Sequence, residues 1–498
     1  MGGCLLCFRQ GQLFTMLGPS RWSGWQCKGF LMPENETSQS MVDEETHPTE
    51  TDRYGIAPDL VNAVSDALRD GQDDVLHDIV ADLRPADQAD LIEQLTSKNL
   101  RRFVAALRYE LDPEVLSELE EVVRDEVIEQ LEPEEIAAAV SELDTDDAVY
   151  VVEDLDETEQ QEILAAMPHE ERFELEAGLS YPEDSAGRLM QQDFIAVPAF
   201  WTVGQTIDYM REDDDLPDDF YEIFVVDTAM KPVGTVALNR IMRTKREVPI
   251  GDIMDDQPIL VNAQMDQEEV AFIVRQYDLV SALVVDDNNR LIGSVMVDDV
   301  LDVIQEEAEE DIMLLGGVGE GGIHESTFKT TRDRFVWLFA NLGTAILASI
   351  VIDQFGGTIE QMVALAVLMP IVASMGGNAG TQTLTIAVRA LGTKELTTSN
   401  ALRTISREVV VGLINGVLFA VLMGVVAALW FGSNLLGAVI GAAMIINMIV
   451  AALAGILIPL GLARANIDPA VASSVFVTTI TDVVGFFAFL GLAAMVLV

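Results

Sequence analysis

The sequence predicts a multi-domain chain: an α-helical, superhelical N-domain, a duplicated α+β pair and a five-helix, all-α transmembrane domain. Three observations lead there. Charge is segregated: of 82 acidic and 29 basic residues, only six acidic and five basic lie after Arg334. A leucine repeat of twelve residues is followed by a longer repeat at an offset of 59. The last third holds uncharged runs long enough to cross a bilayer, for which about 20 apolar residues suffice.

The expected division is an atypical, disordered extension (1–54), a helical acidic N-domain (55–180), the α+β pair (185–305), a linking amphipathic acidic helix (306–334) and the transmembrane domain (335–498). Cys4, Cys7 and Cys27 all fall in the extension, which also holds Trp22 and Trp25 and has no acidic residue before Glu34. It lacks the long apolar core of a signal peptide. It reads as an addition upstream of a start at Met32 or Met41. Without later cysteines, the chain offers no disulfide framework or cysteine zinc site.

In the N-domain, Leu83, Leu95, Leu107, Leu119, Leu131, Leu143, Leu155 and Met167 recur every twelve residues. Twelve is not a whole number of helical turns, so one long helix would not keep them on one face. Short helices separated by turns would, with Pro85 and Pro133 at helix starts. Such repetition suggests a small helical solenoid; an irregular helical domain is the alternative.

In the pair, "EIFVVDTAMKPVGTVALNRIM" (Glu222–Met242) aligns with "SALVVDDNNRLIGSVMVDDVL" (Ser281–Leu301). Val225, Val226, Asp227 and Gly234 match Val284, Val285, Asp286 and Gly293. Each copy reads strand, polar turn, strand, helix. The segment resembles a tandem pair of cystathionine-β-synthase (CBS) modules, which implies a ligand sensor, often for adenine nucleotides such as ATP.

The last third divides into helices near 335–355, 361–390, 409–431, 436–463 and 470–498. Lys329, Arg332 and Arg334, then Arg389, Lys394, Arg403 and Arg407, then Arg464 all flank them on one side. Basic flanks stay cytoplasmic, which puts the acidic half in the cytoplasm and the C-terminus outside.

Polar chemistry concentrates in two of these helices. Ser374, Asn378, Thr381, Gln382 and Thr385 form a stripe beside Gly376 and Gly377, after Pro370. Small and polar residues also glue membrane helices together, so packing is a competing reading. Asp482 lies mid-helix, with Ser474 and Thr478 on its face. An unpaired charge there costs roughly 2.5–3.5 kcal/mol on insertion scales. No basic residue lies at similar depth, which leaves a protonated acid, a proton relay or a carboxylate facing a cation in a wet pore. An oxygen-only lining suits Mg²⁺ or Ca²⁺ better than soft metals. Mg²⁺ commonly keeps its waters and uses one or two carboxylates; a twofold axis would supply two.

"MPIVASMGGNAGTQ" and "DPAVASSVFVTTITDVVGF" resemble the MgtE-type magnesium channels and transporters, as does the order of parts over residues 55 to 498. The resemblance implies that Asp482 is the pore carboxylate and that Gly377, Asn378 and Gln382 sit in the pore motif. Thr381 and Ser474 stand where some members carry asparagine.

"VDDVLDVIQEEAEEDIMLL" (Val297–Leu315) packs Asp298, Asp299, Asp302, Glu306, Glu307, Glu309, Glu310 and Asp311 into one helix. Like-charge pairs at i,i+4 each cost roughly 0.2–0.5 kcal/mol. Bridging divalent cations would relieve them; a solvated helix in a salt-adapted protein is the alternative, and six Lys against 23 Arg fit that. The resemblance implies regulatory Mg²⁺ at Asp299, Asp302, Glu307, Glu310 and Asp311, and adds Asp266, Glu268 and Asp278.

The resulting expectation is a homodimeric Mg²⁺ channel or transporter of the plasma membrane, closed by high cytosolic Mg²⁺. The rivals are a Co²⁺ or Ca²⁺ transporter and a membrane-anchored nucleotide sensor. The acidic half repels phosphate backbones, which argues against nucleic acid as a partner. Scattered histidines (His47, His77, His169, His324) and the lack of a phosphate-cradling loop argue against an enzyme.

Overall fold

The computed structural model describes residues 55–108, 111–212, 216–217, 220–318, 327–397 and 399–497. The extension with its three cysteines, Met32, Met41 and His47 lies outside the described residues, as does His324.

The N-domain is a run of short helices from Pro58–Asp70 to His169–Leu179. The twelve-residue period marks where helices end. Leu83, Leu95, Leu131, Leu143 and Leu155 each follow a helix, and each N–H donates to the carbonyl three residues back. That tightened turn satisfies a carbonyl the helix end would leave open. Leu95, Leu107, Leu119 and Met167 are buried in one shared core, and the remaining repeat leucines pack against it. Pro85 and Pro133 each open a helix, where the missing N–H costs nothing.

The α+β pair contains two matching three-stranded sheets. The first is β1 (Ala196–Pro198), β2 (Glu222–Val226) and β3 (Pro232–Ala237); the second is β4 (Leu260–Asn262), β5 (Ser281–Val285) and β6 (Leu291–Met296). In each, the first pair is parallel and the second antiparallel. Val225 faces Gly234 and Val284 faces Gly293, with a bulge directly after each valine. The turns also match. Asp227 accepts from the N–H groups of Ala229 and Lys231, and Asp286 from those of Asn288 and Arg290. These bonds hold both carboxyls below the usual range.

The copies exchange edges. Asp255, which precedes copy two, bridges to Thr235 of β3; Gln191, which precedes copy one, bridges to Ser294 of β6. The exchange requires the two aligned glycines. A Cβ at Gly234 would lie 2.3 Å from the Asp255 carbonyl oxygen, and one at Gly293 2.7 Å from that of Gln191.

The acidic connecting helix spans Val297–Gly316. It therefore starts earlier and stops much sooner than the expected linker at 306–334. Gly317, in the left-handed region at φ 66°, donates to the Leu314 carbonyl and ends it. Thr327 to Arg334 instead form the first turns of the first membrane helix (Thr327–Asp353).

The other membrane helices are the second (Ala364–Gly392), third (Ala401–Phe431), fourth (Asn434–Arg464) and fifth (Ser473–Val496). Several run past the uncharged stretches that located them, because lipid sets apolar length while a helix can continue into water. At the second helix the difference is reversed. Gln361 ends a separate short helix (Gly356–Gln361), and the non-helical Met362 (φ −139°, ψ 86°) follows it. A 3₁₀ turn (Ala470–Ala472) precedes the fifth helix. The fourth helix is the most enclosed and the first the least. Glycines allow close packing: Gly424 and Gly437 set the third helix against the fourth, and Gly380 and Gly455 set the second against it.

Gly234→Ala should destabilise the folded chain by roughly 1–3 kcal/mol through overpacking. Chemical unfolding followed by circular dichroism checks this; an unchanged midpoint would contradict the edge exchange.

Candidate ion path and acidic cleft

The polar stripe of the second membrane helix faces away from its own bundle. Ser374, Asn378, Gln382 and Thr385 are exposed and Thr381 is half-exposed, while Gly376, Gly377, Gly380 and Thr383 face inward. The glycine side meets the fifth helix. A Cβ at Gly377 would sit 3.3 Å from Thr478 Cγ2, and one at Gly380 2.4 Å from Val477 Cγ1. Two backbones thus approach closely, and Asp482 follows Thr478 by one turn.

Asp482 is half-buried, and no ion pair or hydrogen bond reaches it among the described residues. The hydroxyl of Thr478 donates to the Ser474 carbonyl at 2.8 Å, and that of Thr385 to the Thr381 carbonyl at 3.0 Å. With their protons committed to the helix, these oxygens keep lone pairs able to accept. That polarity suits the water shell of a cation. Ser474 is half-exposed two turns below Asp482.

The second feature is a cleft of about 440 Å³ between the N-domain and the connecting helix. Glu118, Asp146, Asp147, Glu153 and Asp184 line one wall, and Asp299, Asp302, Glu306 and Glu309 the other. Arg188 is the cationic residue of this lining, and it is paired with Glu153 at 2.6 Å. Asp146 is 6% exposed, its Oδ1 has no partner among the described residues, and its carboxyl meets that of Asp299. Both residues stand at helix N-termini, where the dipole favours a carboxylate. Burial, and then the neighbouring acid, raises Asp146 well above the usual carboxylate range. Burial and Asp146 push Asp147 to about 7, and burial and Asp298 push Asp299 to about 7.

Nearer the membrane, burial and Asp468 push Asp311 to about 6. Burial raises Glu307, which accepts from Gln267 Nε2 at 3.0 Å. Burial also raises Glu268, with Lys394 opposing. Asp266 caps the helix Gln267–Tyr277 by accepting from the Glu268 N–H. Asp278 is the C-cap at the far end of that helix, in the left-handed region, and lies outside this cluster. Glu310 lies on the connecting helix but outside the cleft lining. Among the described residues no three Asp, Glu, His or Cys side chains close into a ready-made metal shell.

The connecting helix joins the two features. Leu314 and Leu315, at its end, pack against a cluster of Leu384 and Val388 from the second membrane helix, Ala454 from the fourth and Val477 from the fifth.

Family models match along the chain: "MgtE intracellular N domain" at 83–184, "CBS domain" at 250–306 and MgtE, "Divalent cation transporter", at 369–492. The chain is 34% identical to the magnesium transporter MgtE of Enterococcus faecalis, over 65% of its own length and 72% of that protein's. It is 34% identical to that of Thermus thermophilus, over 66% and 73%.

The chain belongs to the MgtE family.

The magnesium transporter MgtE of Bacillus subtilis aligns over 87% of this chain and 97% of its own length at 28% identity. Among solved structures, the cytosolic domain of the Mg²⁺ channel MgtE in complex with ATP is 29% identical, with a TM-score of 0.46, covering 49% of this chain and 99% of that one. MgtE-family membership makes this a divalent cation transporter chain with a CBS module and a helical membrane domain.

Sequence reasoning missed the N-domain wall of the cleft and Asp468. Asp146 and Asp147 carried a signal, two adjacent acids in the first turn of a helix, but nothing in their spacing pointed to Asp299.

The raised carboxyls give a definite sign. Protonation is easier in the docked state than in a separated one, where Asp147 and Asp299 return towards 3.8. The stability these groups contribute is therefore fully present at low pH. It is lost as pH rises from about 4 through about 7. In chelator, the thermal midpoint of the full chain should fall from pH 6 to 8, flattening above about 7. Asp299→Asn should reduce the slope; an equal slope in both proteins would contradict the assignment.

Proposed function

We propose that this chain forms a Mg²⁺-selective channel or transporter of the plasma membrane, acting as a homodimer and closed by cytosolic Mg²⁺. One observation carries the reading: a mid-membrane carboxylate with no partner among the described residues lies one turn from Thr478, which meets the second helix at Gly377, and the polar stripe of that helix is left uncovered by the described residues. Lipid would not accept that stripe, and a second copy across a twofold axis would enclose it. Two Asp482 carboxylates and the accepting lone pairs of Thr478 and Thr385 would then surround a hydrated ion. Gly377, Asn378, Thr381, Gln382 and Ser474 are the further path residues.

The oxygen-only lining favours Mg²⁺, and the relatives named magnesium transporters support that choice over Co²⁺ or Ca²⁺. Basic residues on one side of the helices support a cytoplasmic N-domain and an outward C-terminus.

Gating follows from the cleft. Facing walls of carboxylates repel, and they come together most favourably when divalent cations lie between them. Asp299, Asp302, Glu307, Glu310 and Asp311, with Asp266 and Glu268, would hold Mg²⁺ against the N-domain acids and Asp468. The bound ions would draw the connecting helix onto the bundle, where Leu314 and Leu315 press on the helices that carry the path. Loss of Mg²⁺ would release that helix. The ion shifts this equilibrium only by its differential affinity for the two states. Separately, a cleft of about 370 Å³ on the first CBS copy sets Arg240 and Arg243 beside Glu222 and Asp255. Its guanidiniums suit the phosphates of ATP and its carboxylates suit a ribose.

Asp482→Asn should abolish Mg²⁺ flux into liposomes; flux at the original rate would refute the path. Asp299→Asn with Glu306→Gln should leave flux intact and raise the cytosolic-face Mg²⁺ needed for closure, on the order of ten-fold. Unchanged closure would refute the sensor. A chain with no flux in any form, yet with ATP binding, would favour the nucleotide-sensor reading instead.

A further inference from the structure

Asn447 lies in the middle of the fourth membrane helix and is 1% exposed. Its Nδ2 donates to the carbonyl of Val372 on the second helix at 2.8 Å. Its Oδ1 is buried and has no partner among the described residues. Two glycines from different helices pinch this one amide. A Cβ at Gly376 would fall 2.1 Å from Nδ2, and a Cβ at Gly485, on the fifth helix, 2.8 Å from it. Gly376 immediately precedes Gly377, and Gly485 follows Asp482 by three residues, so the amide sits where both sides of the candidate path begin.

The chemistry argues for more than filling. An apolar side chain of similar volume would occupy this space without stranding an oxygen. A buried polar atom without a partner is costly, and its retention asks for an explanation. A hydrogen bond fixes distance and direction, which packing of apolar surfaces alone does not. The bond to Val372 sets the second helix on the fourth, and contact with Gly485 sets the fifth against the same group. Asn447 thus acts on the gap between Gly377 and Asp482 from the side, alongside the direct contacts of Gly377 with Thr478 and Gly380 with Val477.

We propose that Asn447 is a positioning residue that fixes the spacing of the second and fifth membrane helices at the depth of Asp482, and through that spacing sets which hydrated divalent cation passes. This rests on the reading of Asp482 as the path carboxylate.

The test uses the full chain in liposomes, with flux expressed per folded molecule after size exclusion. Mg²⁺, Co²⁺ and Ca²⁺ are compared. Asn447→Ala should lower Mg²⁺ turnover on the order of ten-fold, shift the Mg²⁺ concentration for half-maximal flux, and change preference among the three ions. Gly485→Ala places a methyl against the amide and should do the same. The double variant Gly485→Ala/Asn447→Ala removes the clash, so folded yield should recover while the altered ion preference remains. If the double variant regains the original half-maximal concentration and preference, Asn447 is only a space-filler and the proposal fails. If Asn447→Ala does not fold, the double variant alone decides. Asp482→Asn, run in parallel, separates the two readings: flux surviving that change removes the path itself, whereas its loss alongside an unaltered Asn447→Ala removes only the positioning role.

Discussion

Asp482 is held half-buried in a membrane helix with nothing of opposite charge to meet it among the described residues. A lone charge at that depth is tolerated only where water or an ion can reach it. Much of the membrane domain is explicable as the framework this residue requires. Glycines bring the second helix against the fourth and fifth. The polar stripe turns to a side the described residues leave open. The hydroxyls of Thr478 and Thr385 give their protons to backbone carbonyls and keep lone pairs able to accept.

The cytoplasmic half repeats the theme at larger scale. Its acids face one another across a cleft, and the arginine in that lining is already engaged by Glu153. Burial raises the proton affinity of these groups, so the facing walls take up protons more readily than free carboxylates do. Leu314 and Leu315 then tie the far end of the same helix to the membrane core. The cleft and the membrane core are thus joined by twenty helical residues, Val297–Gly316.

Much of this was legible in the sequence. The twelve-residue leucine period and the offset of 59 are chemistry repeated in one dimension, so helix ends and matched sheets could be read directly. Asp482 stood out because a single charge in an apolar run has few explanations. The end of the linking helix was not legible from its acidic pattern, because charge spacing does not mark a stop; Gly316 and Gly317 did. Asp146 and Asp299 belong to distant segments, and no local period announces their contact. Asn447 was invisible for a related reason: one asparagine in an apolar helix has no spacing to betray it, and only the glycines of two other helices reveal its place.

Salt adaptation and divalent sensing both draw on carboxylates, and they differ in what neutralises them. Small-angle scattering on the detergent-solubilised chain separates the two most directly, with MgCl₂ and KCl titrated at matched ionic strength. Divalent bridging requires the radius of gyration to fall with millimolar Mg²⁺ and to stay expanded in the matched KCl. Equal compaction by both salts would contradict it, leaving the acidic walls as a screened surface rather than a sensor.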